Sequence, residues 1–256
     1  MLGVWPWRTN STRVEVGGLA RRLVAMVDPS TYRRIVDAPT ALARLTQEIV
    51  ACRACPRLVA WREQVGRDKR ASFSGEEYWA KPVPGFGDPD AAVLVVGLAP
   101  AAHGGNRTGR VFTGDRSGDW LFRAMWRAGL ANQPASVSRD DGLRLVDAYI
   151  AAVVRCAPPA NKPSVEERDR CRPYLARELD LLRRVRVIVV LGAFAYENVA
   201  ALLGVRPRPR FGHGVEVPVD GRTILCCFHP SQQNTFTGKL TEPMLDAVFA
   251  RAAALR

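Results

Sequence analysis

The chain has 256 residues, a hydrophobic content of 47%, a formal net charge of +12 and an isoelectric point near 10.1. This length suits one large domain, or a domain with an extension, and the apolar content is sufficient for a core. The charge favours an anionic partner over a surface that binds nothing, and no apolar run approaches the ~20 residues that a membrane span requires.

The first part of the chain differs in composition from the rest. Residues 1–38 combine tryptophan, arginine and glycine, so we expect an N-terminal extension, partly ordered at best, before a compact domain over residues 39–256. The N-terminal segment lacks the long apolar core of a signal peptide, and we therefore expect a cytoplasmic protein. In that compartment, cysteines are metal ligands or core thiols more often than disulfides.

Helical and strand patterns alternate along this domain. A helix with apolar positions at helical spacing starts near Thr40 and is expected to stop at Pro56, before a polar connector over residues 62–88. Ser164 and Glu167 form a capping box that begins a later helix. The predicted strands are 92–96, 148–154, 185–191 and 223–228, and the further helices are 120–130, 165–184, 193–203 and 242–255. Continuous apolar strands that alternate with helices predict an α/β fold with a parallel sheet.

Three polar loops directly follow three of the predicted strands. They span residues 97–118, 155–164 and 228–234. Ligands of open α/β sheets bind beyond the carboxyl ends of the strands, so we expect these loops to form one pocket. They would bring together Asp115, Phe112, Asn161 and His229. A carboxylate, an aromatic ring, a planar amide and an imidazole suit recognition of a nucleobase and chemistry on it.

Four of the six cysteines have a spacing that is typical of a metal site. They are Cys52, Cys55, Cys156 and Cys171. A Cys-x-x-Cys pair with two distant cysteines fits zinc or an iron–sulfur cluster, and the alternative is a motif at a helix end with two unrelated core thiols. Cys226 and Cys227 are adjacent in a predicted strand, so they point to opposite faces and are interpreted as small buried residues.

The loop GLAPAAHGGNRTGRVFTGDRSG, the segment NKPS, the HPS loop and the four cysteines together resemble the family 5 (B-type) uracil-DNA glycosylases. The resemblance covers roughly residues 40–255. It implies a three-layer α/β/α fold with a central four-stranded parallel sheet, and a [4Fe–4S] cluster rather than zinc on the four cysteines. It further implies a monofunctional hydrolase of base excision repair that flips a deaminated base out of DNA and removes it.

The same resemblance assigns roles in the pocket. Phe112 stacks on the flipped base, Asn161 contacts its edge, and His229 donates a hydrogen bond to the departing uracil anion. Each has a structural alternative: a core phenylalanine, an asparagine that stabilises a turn, and a hydrogen-bonded structural histidine. Further substrate-binding candidates are Gly97, Ala99 and His103.

Asp115 is the candidate for positioning or activating water. Pro100-Ala101-Ala102 stands where other uracil-DNA glycosylases usually carry a polar residue. The alternatives are Asn106, or no base at all, because oxocarbenium-like cleavage requires electrostatic stabilisation more than a strong base. Asp115 is also interpreted as a cap for a helix beginning near Gly118. The small alanines predict a roomy pocket that accepts uracil, hypoxanthine and other damaged bases such as ethenocytosine and hydroxymethyluracil.

The sequence indicates the residues that contact DNA less clearly than those of the pocket. Arg206, Arg208 and Arg210 alternate with prolines, which predicts either a loop that follows phosphates or a solvated turn. Gln232 begins a segment that could enter a groove, where Phe236 would act as a wedge. We expect a monomer that acts on double- and single-stranded DNA and is associated with the nucleoid.

Three rival functions make different demands on the sequence. A nuclease requires clustered carboxylates, which these loops lack. A lyase requires a lysine that forms a Schiff base, and no lysine in the three loops is an evident candidate. A non-enzymatic iron–sulfur protein for DNA binding or electron transfer would bind without releasing a base.

Overall fold

Four parallel strands form the centre of a six-stranded sheet in the computed structural model, which describes residues 38–256. The strands are β1 (Phe86–Gly87), β2 (Val93–Gly97), β3 (Ala148–Ala152), β4 (Val187–Leu191), β5 (Glu216–Val219) and β6 (Arg222–Cys227). Their order is β1-β3-β2-β4-β6-β5, and the inner four are parallel, which confirms the predicted sheet. The expected N-terminal extension lies outside the described residues, except that Ala38 begins the first helix.

The two outer strands are antiparallel additions that the sequence analysis missed. β1 has only two residues, and β5 carries none of the continuous apolar character of the buried strands. A turn at Asp220 and Gly221, both with positive φ, joins β5 to β6. An Asp-Gly pair before an apolar run is a hairpin signal, so the sequence did contain the information for β5.

The helices fill the segments between the strands. They are α1 (Ala38–Ala51), α2 (Pro56–Asp68), α3 (Gly105–Thr108), α4 (Arg116–Arg127), α5 (Val165–Leu181), α6 (Ala193–Leu202), α7 (Gln232–Phe236) and α8 (Glu242–Ala254). Short 3₁₀ turns span Ala71–Phe73 and Pro159–Asn161. The capping box of Ser164 and Glu167 is present at the start of α5. Within residues 38–256, no helix is long and apolar enough to cross a membrane.

The predicted connector over residues 62–88 is wrong in its first part, because α2 continues to Asp68. Pro56 lies in the first turn of α2, where its missing N–H would have no helical acceptor, so this proline permits a new helix. Leu58 and Arg62 are both buried on the inner side of α2. The buried arginine interrupts the apolar pattern, and this explains why the helix was missed.

Two cores, one on each face of the sheet, hold the three layers together. Along β2, Val93 and Val95 belong to one core and Leu94 and Val96 to the other. The first core includes side chains of α4 and α8, and the second includes side chains of α1, α2, α5 and α6. Burial of each such aliphatic side chain contributes roughly 1.5–3 kcal/mol, so both helical layers stabilise the sheet. The fold is three-layer α/β/α, as predicted.

The order of the strands places the three polar loops at one edge. β3 and β2 are neighbours, and β6 is separated from β2 only by β4. β4 passes directly into α6 through Gly192, whose φ is +94°, so no long loop stands above it. A space therefore remains between the loops that follow β2, β3 and β6.

Candidate active site

A cavity of about 590 Å³ lies where the three loops meet. Six of the residues expected at the site line it: Ala99, Phe112, Asp115, Asn161, His229 and Gln232. The volume is within the range of small-molecule sites, and the lining combines apolar surface with a few polar groups. The loops therefore converge as their positions after the strands predicted.

The backbone packs closely against Phe112 at two glycines, Gly97 and Gly118. The φ of Phe112 is +55°, and its side chain is nearly buried. A Cβ on Gly97 would lie 2.7 Å from Phe112 Cζ, and one on Gly118 would lie 1.8 Å from the Phe112 carbonyl oxygen. The ring of Phe112 thus occupies the space that a side chain at position 97 would need, and Gly97 does not itself line the cavity. A positive φ at a phenylalanine is strained, which is common where a side chain must be presented to a ligand.

Asn161 lies in a strained turn after β3. Ala160 and Asn161 have φ values of +51° and +56°, and the Asn161 main-chain N–H donates to the Pro158 carbonyl. Asparagine tolerates the left-handed region better than most residues. The turn presents at the cavity a side chain that offers one acceptor and two donors.

His229 follows the last strand and faces Phe112. The centroids of the two rings are 5.9 Å apart. Burial lowers the pKa of His229 to about 4, so the imidazole is neutral at pH 7. The Asn234 side chain donates to the His229 carbonyl at 2.8 Å and ties the HPS loop to α7. A neutral imidazole carries one N–H, which it can donate to a ligand in the cavity.

A second histidine supports this strand end. The Phe228 main-chain N–H donates to His213 Nδ1 at 3.2 Å, which requires that nitrogen to be unprotonated. The rings of His213 and Phe228 lie 5.2 Å apart, and burial lowers the pKa of His213. The backbone directly before His229 is therefore held by a neutral imidazole, a contact that the sequence did not reveal.

Asp115 is both a helix cap and a residue of the cavity. Its Oδ1 accepts from the Gly118 N–H at 2.9 Å at the start of α4, so the capping interpretation is confirmed. Burial raises its pKa. A Cβ on Gly104 would lie 2.1 Å from Asp115 Oδ2, so a glycine is needed beside this carboxylate.

Several predicted residues lie away from the cavity. The His103 ring contacts Tyr78, with His103 Nδ1 and the Tyr78 hydroxyl 3.1 Å apart, and it does not line the cavity. Arg206 and Arg208 line a separate cavity of about 450 Å³, and Arg210 is exposed. The basic loop is thus open to solvent.

The mouth of the cavity carries residues that the sequence analysis missed. Arg116 lines the cavity, and its guanidinium lies 5.6 Å from the ring of Phe236, which is 69% exposed. Ser231 and Gln233 also line the cavity, next to the predicted Gln232. Arg116 directly follows the capping aspartate and begins α4, so it lies near the cavity that Asp115 lines.

The four cysteines outside β6 line a second cavity. Arg62 Nη1 donates to Cys156 Sγ at 2.9 Å, and the Arg155 main-chain N–H donates to Cys171 Sγ at 3.2 Å. Burial raises the pKa of Cys156 to about 11 and that of Cys171 to about 12. Because burial disfavours the ionised thiols, deprotonated cysteines in this cavity require nearby positive charge.

His229 also predicts a dependence of stability on pH. Its pKa is about 4 in the folded protein against an ordinary value of 6.5, so between these values the unfolded chain binds a proton that the folded chain does not. Acidification from pH 6.5 to pH 4 should therefore lower the melting temperature of the wild type more than that of His229→Gln. Thermal unfolding followed at each pH tests this, and parallel curves for the two proteins would contradict it.

Comparisons with known proteins give a consistent result. The family model for the uracil DNA glycosylase superfamily matches residues 84–253. The type-5 uracil-DNA glycosylase of Mycobacterium tuberculosis (strain CDC 1551 / Oshkosh) is 52% identical over 219 residues, which are 84% of this chain and 82% of that protein. The type-5 enzyme of Thermus thermophilus is 53% identical over 82% of this chain and 95% of its own length. That of Pyrobaculum aerophilum is 47% identical over 80% of this chain and 89% of its own.

Proposed function

The chain belongs to the uracil DNA glycosylase superfamily and, within it, to the type-5 uracil-DNA glycosylases, and from this we propose that it removes uracil from DNA by hydrolysis of the N-glycosidic bond. The product is an abasic site, the substrate of the next steps of base excision repair. The observation that carries the proposal is the cavity in which Phe112, Asn161, His229 and Asp115 meet. The alternative of a non-enzymatic iron–sulfur protein has no such observation in its favour.

Recognition begins with a flipped base. The glycosidic bond of a base within a duplex is inaccessible, so the nucleotide must rotate into the cavity. Phe112, against which the backbone packs closely at Gly97 and Gly118, offers a flat surface on which the pyrimidine stacks. Asn161 then reads the edge of the base with its acceptor and its donors.

His229 stabilises the leaving base. As the bond breaks, negative charge develops on the uracil ring and its O2 oxygen, and a fixed donor there lowers the barrier. The low pKa of His229 keeps the imidazole neutral, so it donates a hydrogen bond without carrying a charge of its own. The hydrogen bond from Phe228 to His213 fixes the backbone that carries it.

Asp115 positions the attacking water. The carboxylate lines the same cavity as the alanines of the first loop, and no other acidic side chain of residues 38–256 lines it. Its raised pKa brings it closer to neutral pH than that of an ordinary aspartate, and this increases its strength as a base. A carboxylate offers about four acceptor positions, and the N–H groups of Gly118 and Ser117 use two of them, so Asp115 can still orient a water molecule.

The substrate range is broad in this proposal. Ala99 and Ala101 line the cavity with small side chains, which leaves room for hypoxanthine, ethenocytosine or hydroxymethyluracil beside uracil. DNA contacts come from the basic loop of Arg206, Arg208 and Arg210 and from Gln232, and Phe236 enters the space vacated by the flipped base. A monomer with a charge of +12 binds double- or single-stranded DNA and stays with the nucleoid.

We further propose that Cys52, Cys55, Cys156 and Cys171 hold a [4Fe–4S] cluster. The four cysteines line one cavity, as a site with four thiolate ligands requires. The relationship to the type-5 uracil-DNA glycosylases favours an iron–sulfur cluster over zinc at these ligands.

The surroundings of the thiols fit an anionic group. Arg62 and Arg155 line the same cavity, and their Nε atoms, with Nη1 of Arg155, lack hydrogen-bond partners in the described part of the chain. A bound cluster would crosslink the turn between α1 and α2, the loop after β3 and α5. Its role is structural, and base removal itself uses the residues of the other cavity.

Single-turnover release from matched oligonucleotides tests the function. Duplexes with uracil opposite guanine should lose the base at a rate far above that of a duplex with cytosine, and hypoxanthine should also be released. Release of uracil alone from a panel of these bases would refute the broad range. Binding without any release by an iron-loaded protein would favour the non-enzymatic alternative.

A further inference from the structure

Arg62 differs from every other buried arginine of residues 38–256. Arg107 pairs with Glu76, Arg110 with Asp141 and Arg155 with Glu178. Arg62 is 2% exposed and makes no ion pair with a carboxylate in that part of the chain. A buried charge without a counter-ion is strongly unfavourable, so an anion is expected beside this guanidinium.

The contacts of Arg62 point to that anion. Its Nη1 donates to Cys156 Sγ at 2.9 Å, and its Nη2 donates to the Cys52 carbonyl at 3.3 Å. Its Nε is buried without a partner in the described residues, and the side chain lines the cavity of the four cysteines. The guanidinium therefore has one thiol contact, one contact with the peptide of a second cysteine, and one free donor at this cavity.

Arg62 also lies between the cysteines and the loop that follows β2. The Asn106 side chain donates to the Arg62 carbonyl at 3.2 Å, and Asn106 is fully buried. The Asn106 carbonyl in turn accepts from the Ala80 N–H. Arg62 thus contacts two of the cysteines through its side chain and the loop that carries Phe112 and Asp115 through its main-chain carbonyl.

We propose that Arg62 is the counter-ion of the four-cysteine cofactor and sets its reduction potential. The inference rests on the proposed cluster. A cation that donates a hydrogen bond to a cysteine ligand stabilises the more negative, reduced form more than the oxidised form, and therefore raises the potential. Arg62 acts as a positioning residue, through Cys156, and takes no part in breaking the glycosidic bond.

The test compares the wild type with Arg62→Gln, Arg62→Lys and the control Arg53→Gln, all purified without oxygen. Arg53 lies between Cys52 and Cys55 in the sequence, but its side chain is exposed and pairs with Glu63. Arg53→Gln therefore removes one positive charge near the cysteines where solvent screens it. Iron and sulfide content are measured first. The reduction potential then follows from a titration monitored by electron paramagnetic resonance.

Arg62→Gln should shift the equilibrium at least tenfold towards the oxidised cluster, or about 59 mV to more negative potential for a one-electron couple. Arg53→Gln should stay near the wild type, and Arg62→Lys should recover most of the shift. A loaded Arg62→Gln protein with the wild-type potential would overturn the inference. Arg62→Gln could lose its iron. In that case, iron retained by Arg62→Lys would support a counter-ion role for the positive charge at position 62. Equal loss of iron from a folded Arg62→Lys protein would overturn that role.

The same preparations separate this inference from the proposed function. Wild-type protein without iron or sulfide would refute the cofactor and the role of Arg62 with it. Uracil release, assayed in parallel, would still establish or refute the glycosylase on its own.

Discussion

Replacement of His229 by alanine is expected to slow the single-turnover release of uracil by about 100- to 1,000-fold, the usual effect of removing one fixed donor from a developing anion. The imidazole lies beside Phe112, and its low pKa keeps it neutral at the pH of the assay. The rate is measured with enzyme in excess over a uracil-containing duplex, so that product release does not limit it.

The matched variant is His229→Gln, which keeps an N–H donor of similar reach. It should retain more activity than His229→Ala, and the DNA affinity of both should stay near that of the wild type, because the donor acts mainly in the transition state. A rate for His229→Ala within a few-fold of the wild type, in a protein with an unchanged melting temperature, would show that His229 has only a structural role.

The parts of the fold that could be predicted are those with local signals. The four central strands are buried on both faces and therefore appear as continuous apolar runs. Their parallel direction follows from the helices between them. Because the carboxyl ends of parallel strands share one edge, the convergence of Phe112, Asn161 and His229 could be predicted without coordinates.

The parts that could not be predicted depend on tertiary contacts. Arg62 resembles a solvent-facing helical residue in the sequence, and its burial becomes visible only through its contacts with Cys156 and Cys52. Gly104 looks like one more loop glycine until the carboxylate of Asp115 is seen beside it. His213 likewise belongs to the site through a main-chain contact, which leaves no pattern in the sequence.

One substitution separates the two roles of Asp115, which caps α4 and also lines the cavity. An asparagine in its place would cap α4 as well as the aspartate does, because the two residue types are nearly equal as helix caps, but it would carry no negative charge. If the carboxylate positions and activates water, Asp115→Asn should lower the rate of uracil release by about 10²- to 10⁴-fold with little change in melting temperature. Asp115→Ala should lose the cap as well, at a cost of ~1 kcal/mol in stability.

A second variant changes the place of the carboxylate and keeps its charge. In Gly104→Ala the new methyl group would lie 2.1 Å from Asp115 Oδ2, so the side chain must move away from its position in the cavity. The matched control is Gly75→Ala, whose added Cβ meets no atom within 4 Å. Gly104→Ala should therefore be slow and Gly75→Ala normal.

The pH dependence of the rate also distinguishes a water-activating carboxylate from a helix cap. Burial raises the pKa of Asp115, so the rate of the wild type should fall on acidification at a higher pH than an ordinary aspartate would give. This fall of the rate should be absent from Asp115→Asn, in which the remaining pH dependence would come from the protonation of His229 alone. Wild-type rates in Asp115→Asn, together with a loss of stability only in Asp115→Ala, would mean that Asp115 is a helix cap and that electrostatic stabilisation of the leaving base is sufficient for cleavage.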